Sequence, residues 1–119
     1  MSRGRRSVAP SRDEIWIVDL NPSVGHEQGG VWPALVVSDD QFNHSPAGLV
    51  MIAPITGTDR GLITHICVDP PEGGLAKRSF IMTDQTRTIS HLRLGRRLGI
   101  IGQATRAEVE VRLRFLLAL

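Results

Sequence analysis

Two apolar runs limit most tightly what this chain can fold into. PALVVS (33–38) and LVMIAPIT (49–56) carry scarcely a polar side chain, and a strand with one wet face would alternate, so both read as strands buried on both sides. The polar DDQFNHSPAG between them reads as a loop. EIWIVDL (14–20) alternates across two faces and is rich in β-branched and aromatic residues, which makes it a strand that Asn21-Pro22 stops. Further short strands are expected at THICVD (64–69), SFIMTD (79–84) and RLGIIG (97–102), set apart by Gly and Pro clusters. Cys67, inside the first of these, reads as a small buried hydrophobe.

The period changes at the end of the chain. In ATRAEVEVRLRFLLAL, Thr105 and Glu108 form a T-x-x-E capping box, and Val109, Leu113, Leu116 and Leu117 recur at helical spacing. Most of that face should pack on the sheet, leaving Phe115 and Leu119 as an apolar edge for a second subunit. Several strands, short turns and one closing helix give a mainly β fold with a C-terminal α-helix, a small, partly open barrel.

A chain of 119 residues suits one domain with one modest core. No apolar run approaches the roughly 18 to 20 residues that span a bilayer, and MSRGRRSVAPSR has no apolar stretch after its basic residues, so neither a membrane anchor nor a secretory signal is expected. The one cysteine excludes an internal disulfide and suits a reducing cytoplasm. The net charge of +2 hides a segregation: residues 1–12 carry +4, residues 13–76 carry −8, residues 77–97 carry +5 and residues 98–119 carry +1. The first dozen residues read as a disordered basic arm before a single domain over 13–119. The basic run at 77–97 suits either a nucleic-acid footprint or a solvated turn region.

Four motifs in register carry a resemblance. EIWIVDLNPSVGHEQGG, PALVVSDDQFN, APIT and TDQTRTI, in that order, look like the MazF/PemK/Kid family of toxins from bacterial toxin–antitoxin pairs, over residues 13–119. The resemblance implies an SH3-like barrel of the MazF/Kid/CcdB type and a cytoplasmic homodimer. It also implies sequence-specific cleavage of single-stranded mRNA without metal or cofactor, and a MazE-like antitoxin that occupies the RNA groove.

Cleaving RNA through its own 2′-hydroxyl needs a base, an acid for the leaving 5′-oxygen, and donors or cations for the charge gathering on phosphorus. Nothing in the sequence has the form of a paired-His zinc motif or a P-loop. Glu27 and His26, on a Gly-flanked loop, are the candidate proton movers, with Gln28 beside them as an RNA contact. Thr56, at a strand end in the P-I-T context of the family's catalytic threonine, is the candidate phosphate donor. Asp84, Gln85 and Arg87 are expected to line the same groove, the first two with a shaping role as readily as a binding one.

Trp32 breaks the pattern. The resemblance places an arginine before Pro33, paired in catalysis with the threonine. A guanidinium is a fixed cation with a fork of donors, whereas an indole offers one neutral N–H and an apolar face. Kid-like members use a second arginine where this chain has Met82. Three readings stay open: an active nuclease that recruits another cation, Arg87 first and Arg60 second; a degenerate homologue that still binds RNA or antitoxin; and a variant with reduced or lost activity. From another class comes a CcdB-like poison of gyrase on the same barrel.

Overall fold

A computed structural model describes residues 9–22, 25 and 29–119 of the chain. Seven strands run β1 (Glu14–Asp19), β2 (Val31–Val36), β3 (Leu49–Thr56), β4 (His65–Val68), β5 (Ser79–Met82), β6 (Arg87–Ser90) and β7 (Leu94–Ile100). Two helices accompany them, α1 (Asp40–Asn43) and α2 (Gln103–Leu117). The order across the sheet is β4-β5-β3-β2-β1-β7, with β6 paired to β3, and every pairing is antiparallel. The sheet stays open, mainly β with a C-terminal helix, as expected.

The alternation that defines a strand sorts the side chains into two cores. On one face Trp16, Val18, Leu20, Ala34, Val36, Val50, Ile52 and Ile89 pack together, with Trp32 and Leu94 at the margin. On the other, Ile15, Leu35, Ala53, Ile55, Ile66 and Ile81 meet Val109 of α2. β3 feeds both, which is why its sequence shows no polar face. The close packing of β7 on the 3₁₀ turn at Glu72–Gly74 needs glycine: Gly74 lies at φ +72, where a side chain would run into the Leu98 carbonyl.

Several expectations are corrected. RTIS forms an extra strand, β6, because β3 offers it a free edge at Leu49–Ile52. β7 begins at Leu94, three residues before the expected start, because Val18 of β1 pairs with it. The loop over DDQFNHSPAG contains α1, whose N-terminus is capped by the Asp39 carboxylate accepting from the Gln41 N–H. The capping box does not form. α2 starts at Gln103 with Gly102 at its N-cap, three residues before Thr105, which is buried inside the first turn. The Glu72 carboxylate instead accepts from the Gly102 N–H at 2.9 Å, placing a negative charge at the positive end of the helix. Leu116 and Leu117 are exposed along with Phe115 and Leu119. Cys67 is exposed as well, since its neighbours Ile66 and Val68 take the inward positions of β4.

Residues 1–8 of the basic arm lie outside the described residues. At its end, Arg12 bonds Glu110 of α2 at 2.7 Å and donates its backbone N–H to Asp40 at 2.7 Å.

Glu14 ties β1 to the neighbouring edge strand β7. Its carboxylate accepts from Ser11 N (2.8 Å), Trp16 Nε1 (3.0 Å) and Arg97 Nε (2.7 Å). Burial alone would raise its pKa, but these donors outweigh burial and hold it below the ordinary 4.5. A lowered carboxylate adds stability that is complete above the unfolded value and is lost as pH falls through the folded one. Glu14→Gln should therefore cost about 1 to 3 kcal/mol near neutral pH. Urea unfolding of parent and variant should show this gap shrinking once the pH is well below 4.5.

Candidate functional site

The strand register gathers the sequence-predicted residues at one end of the sheet. Ala34, Leu35 and Val36 lie opposite Pro54, Ala53 and Ile52, and carrying that register two residues further brings Trp32 level with Thr56. Both belong by alternation to the face of Ala34, Val50 and Ile52. Arg87 pairs with Ile52 on the other side of β3, and shares its face with Ile89 of the same core. Trp32 from β2, Thr56 from β3 and Arg87 from β6 therefore occupy three adjacent strands on one face, towards one end.

Each has a distinct environment. Thr56 is only 4% exposed, and its Oγ1 accepts from the Thr58 N–H at 3.2 Å, so the hydroxyl keeps its own proton to donate. Trp32 donates its indole N–H to the Gly29 carbonyl. The last turn of the hairpin is fixed around it: Leu20 N–H donates to the Gly30 carbonyl at 2.8 Å, and Gly30 N–H to the Asn21 side chain at 2.8 Å. Nη1 of Arg87 is buried and has no partner among the described residues. His26, Glu27 and Gln28, between those stems, lie outside the described residues.

Asp84 and Gln85 form a 3₁₀ turn, Thr83–Gln85, that leads into β6. Asp84 Oδ1 stands 3.2 Å from Nε2 of His65, whose side chain is only 3% exposed and whose Nδ1 has no partner among the described residues. No motif in the sequence singles out His65. Its alternation with Ile66 does point it away from that core; the 3₁₀ turn against β4 hides it, and nothing local in THICVD signals such a contact. Asp84 is held as much by this contact as by any groove.

The basic run is less free than its sequence suggests. Arg97 is tied to Glu14 at 2.7 Å, Arg78 stands 3.8 Å from Asp69, and Arg93 donates to the Asp19 carbonyl at 3.1 Å. Lys77, Arg87 and Arg96 have no acid within ion-pair range among the described residues, where no cluster of three or more potential metal ligands occurs either. A groove of about 660 Å³ is lined by Val37, Met51, Asp84, Leu113, Leu117 and Leu119 among others and includes neither Trp32 nor Thr56, so Asp84 opens onto a different groove from theirs.

Residues 11–117 match the family described as the PemK-like, MazF-like toxins of type II toxin–antitoxin systems, and the chain belongs to that family. It is 34% identical over 109 residues to the endoribonuclease EndoA of Bacillus subtilis, covering 91% of this chain and 94% of that one. A crystal structure of MazF from Deinococcus radiodurans superposes with a TM-score of 0.85 at 26% identity, covering 95% of this chain and all of the other. An endoribonuclease from a mycobacterial species, solved with its cognate antitoxin, superposes with a TM-score of 0.78 at 26% identity, over 93% of this chain and 97% of that one. The family is an enzymatic one, with members named as endoribonucleases.

An unpartnered, buried guanidinium N–H costs stability, on the order of 1 to 3 kcal/mol for a polar group left unsatisfied. Arg87→Met, of similar length and apolar, should leave the melting temperature unchanged or raise it. A fall of several degrees in thermal unfolding would mean that Arg87 is satisfied in the folded protein.

Proposed function

We propose that this chain is the toxin of a toxin–antitoxin pair and cuts single-stranded RNA without a metal, at a rate reduced by Trp32. The observation that carries the reading is the gathering of Trp32, Thr56 and Arg87 on one face at one end of the sheet, in a chain of this family. Thr56, with a hydroxyl proton to spare, donates to the scissile phosphate. Glu27 takes the proton of the 2′-hydroxyl, and a second proton carrier on the same loop, His26, serves the leaving 5′-oxygen. Gln28, Asp84 and Gln85 contact or shape the path of the RNA.

Trp32 supplies none of the charge that an arginine would bring. Its single N–H is already committed to Gly29, and it offers the substrate only an aromatic face on which a base can stack. Arg87 is a fixed cation on the same face. Its pairing with Ile52 sets it four residues short of Thr56 along the strand, about 13 Å. An arginine side chain spans part of that, which suits a neighbouring phosphate better than the one being cut. The near-burial of Thr56 also fits a low rate.

Replacing an arginine that stabilises the charged phosphorane should cost about a hundred- to a thousandfold, as loss of one oxyanion donor does. Trp32→Arg is therefore expected to raise cleavage of single-stranded RNA by that factor, with EDTA present and a 2′,3′-cyclic phosphate left on the product. Thr56→Ala in the same protein should abolish it. Equal rates for the parent and Trp32→Arg would sink the view that Trp32 limits this enzyme.

The chain is also proposed to be a homodimer and to bind a cognate, MazE-like antitoxin. Support for the dimer comes from the exposed apolar row Phe115, Leu116, Leu117 and Leu119 beside the groove at Val37 and Met51, a patch costly to leave in water. Sedimentation at micromolar concentration should give a dimer, and Leu117→Glu should yield monomer.

A further inference from the structure

Lys77 stands at the turn that follows Thr56. A Cβ added to Gly57 would lie 2.9 Å from Lys77 Nζ and 3.0 Å from its Cε, so the ammonium rests directly on residue 57. The same three-residue turn fixes the catalytic hydroxyl, because Thr58 N–H donates to Thr56 Oγ1. Thr56 itself pairs across the sheet with Phe80, three residues after Lys77. Hydroxyl and ammonium are thus held to one short piece of backbone by contacts on either side of it.

Three further observations bear on Lys77. It has no acid within ion-pair range among the described residues, whereas its neighbour Arg78 faces Asp69 and lies over the Phe80 ring. It is exposed, so a phosphate can reach it. Gly57 has no positive φ to require glycine; what a side chain there would meet is the lysine. The absence of a Cβ at 57 leaves room for the ammonium, and Arg87 lies further off, opposite Ile52.

We propose that Lys77 is a catalytic cation of this site, holding the charge that develops on the scissile phosphate beside Thr56. An ammonium is a compact point charge with three donors, enough to meet one phosphate oxygen without the fork of a guanidinium. The inference rests on the endoribonuclease reading and deepens it: Lys77 accounts for the rate that remains when position 32 carries an indole.

The test uses the full chain in two backgrounds, the parent and Trp32→Arg, each with Lys77→Gln, Lys77→Arg or Gly57→Ala. Single-turnover cleavage of single-stranded RNA is measured, together with the affinity for the same RNA carrying 2′-O-methyl groups, which cannot be cut. Lys77→Gln should slow cleavage about a hundredfold, as removal of a preorganised donor does, while the affinity for the blocked RNA changes less than about threefold. Gly57→Ala, which leaves the lysine in place but pushes its ammonium aside, should slow cleavage in the same direction, and Lys77→Arg should recover most of the rate. Thermal unfolding of each variant identifies any that fails to fold, and Lys77→Gln, at an exposed position, is scored on its own if Gly57→Ala is one of them. Cleavage that survives Lys77→Gln within threefold overturns the proposal and leaves the endoribonuclease reading intact. So does an equal loss of rate and of blocked-RNA affinity, which would make Lys77 an ordinary phosphate contact. If neither background cuts RNA, the endoribonuclease reading fails and the role of Lys77 fails with it.

Discussion

Everything in this fold hangs on β3 being buried on both faces. Its even-numbered side chains, Val50 and Ile52, belong to one core and its odd-numbered ones, Ala53 and Ile55, to the other. A strand with apolar side chains on both sides cannot slip by one residue to relieve a misfit, because either register presents the wrong volumes to two cores at once. Its three hydrogen-bonded neighbours, β2, β5 and β6, inherit that fixed register. The site inherits it too, since Trp32, Thr56 and Arg87 come from β3 and from two strands paired to it. Truncating Ile52 or Ile55 would open a cavity of a kind that costs about 2 to 5 kcal/mol, and the loss would be felt on the opposite face as well.

The sequence is legible where the pattern is local and strong. β1 and β3 were readable to within a residue, because alternation and continuous apolarity are properties of six to eight adjacent residues. What was not legible depends on partners. β6 is four residues of mixed character that become a strand only because β3 offers an edge. The T-x-x-E spelling at Thr105 was real, but Glu72, thirty residues away in the chain, meets Gly102 at the helix start and the helix begins earlier. Cys67 was misjudged because an apolar-looking strand at a sheet edge still turns one face to water.

The candidate site divides in the same way. Thr56 and Trp32 could be singled out from spelling alone, since each stands in a recognisable motif. The contact between His65 and Asp84 could not, because β4 and the turn at Thr83–Gln85 meet only in three dimensions. The basic run from 77 to 97 looked uniform as a sequence and is heterogeneous as a surface. Some of its members hold the sheet together through Glu14 and the backbone carbonyls, and others are left unpaired. Counting charges along a chain measures an upper limit on an electrostatic footprint.

The Trp32 indole, bonded to the Gly29 carbonyl, serves as scaffolding as well as surface. It anchors the end of the hairpin whose other stem is pinned by Asn21. Any side chain placed at position 32 therefore does one of two jobs, since it either reaches outward from the strand or replaces that tether. An arginine there would bring charge to a looser hairpin. Charge and stiffness at this corner of the sheet are coupled through one residue, so a second substitution that braces the hairpin would change what the first one does.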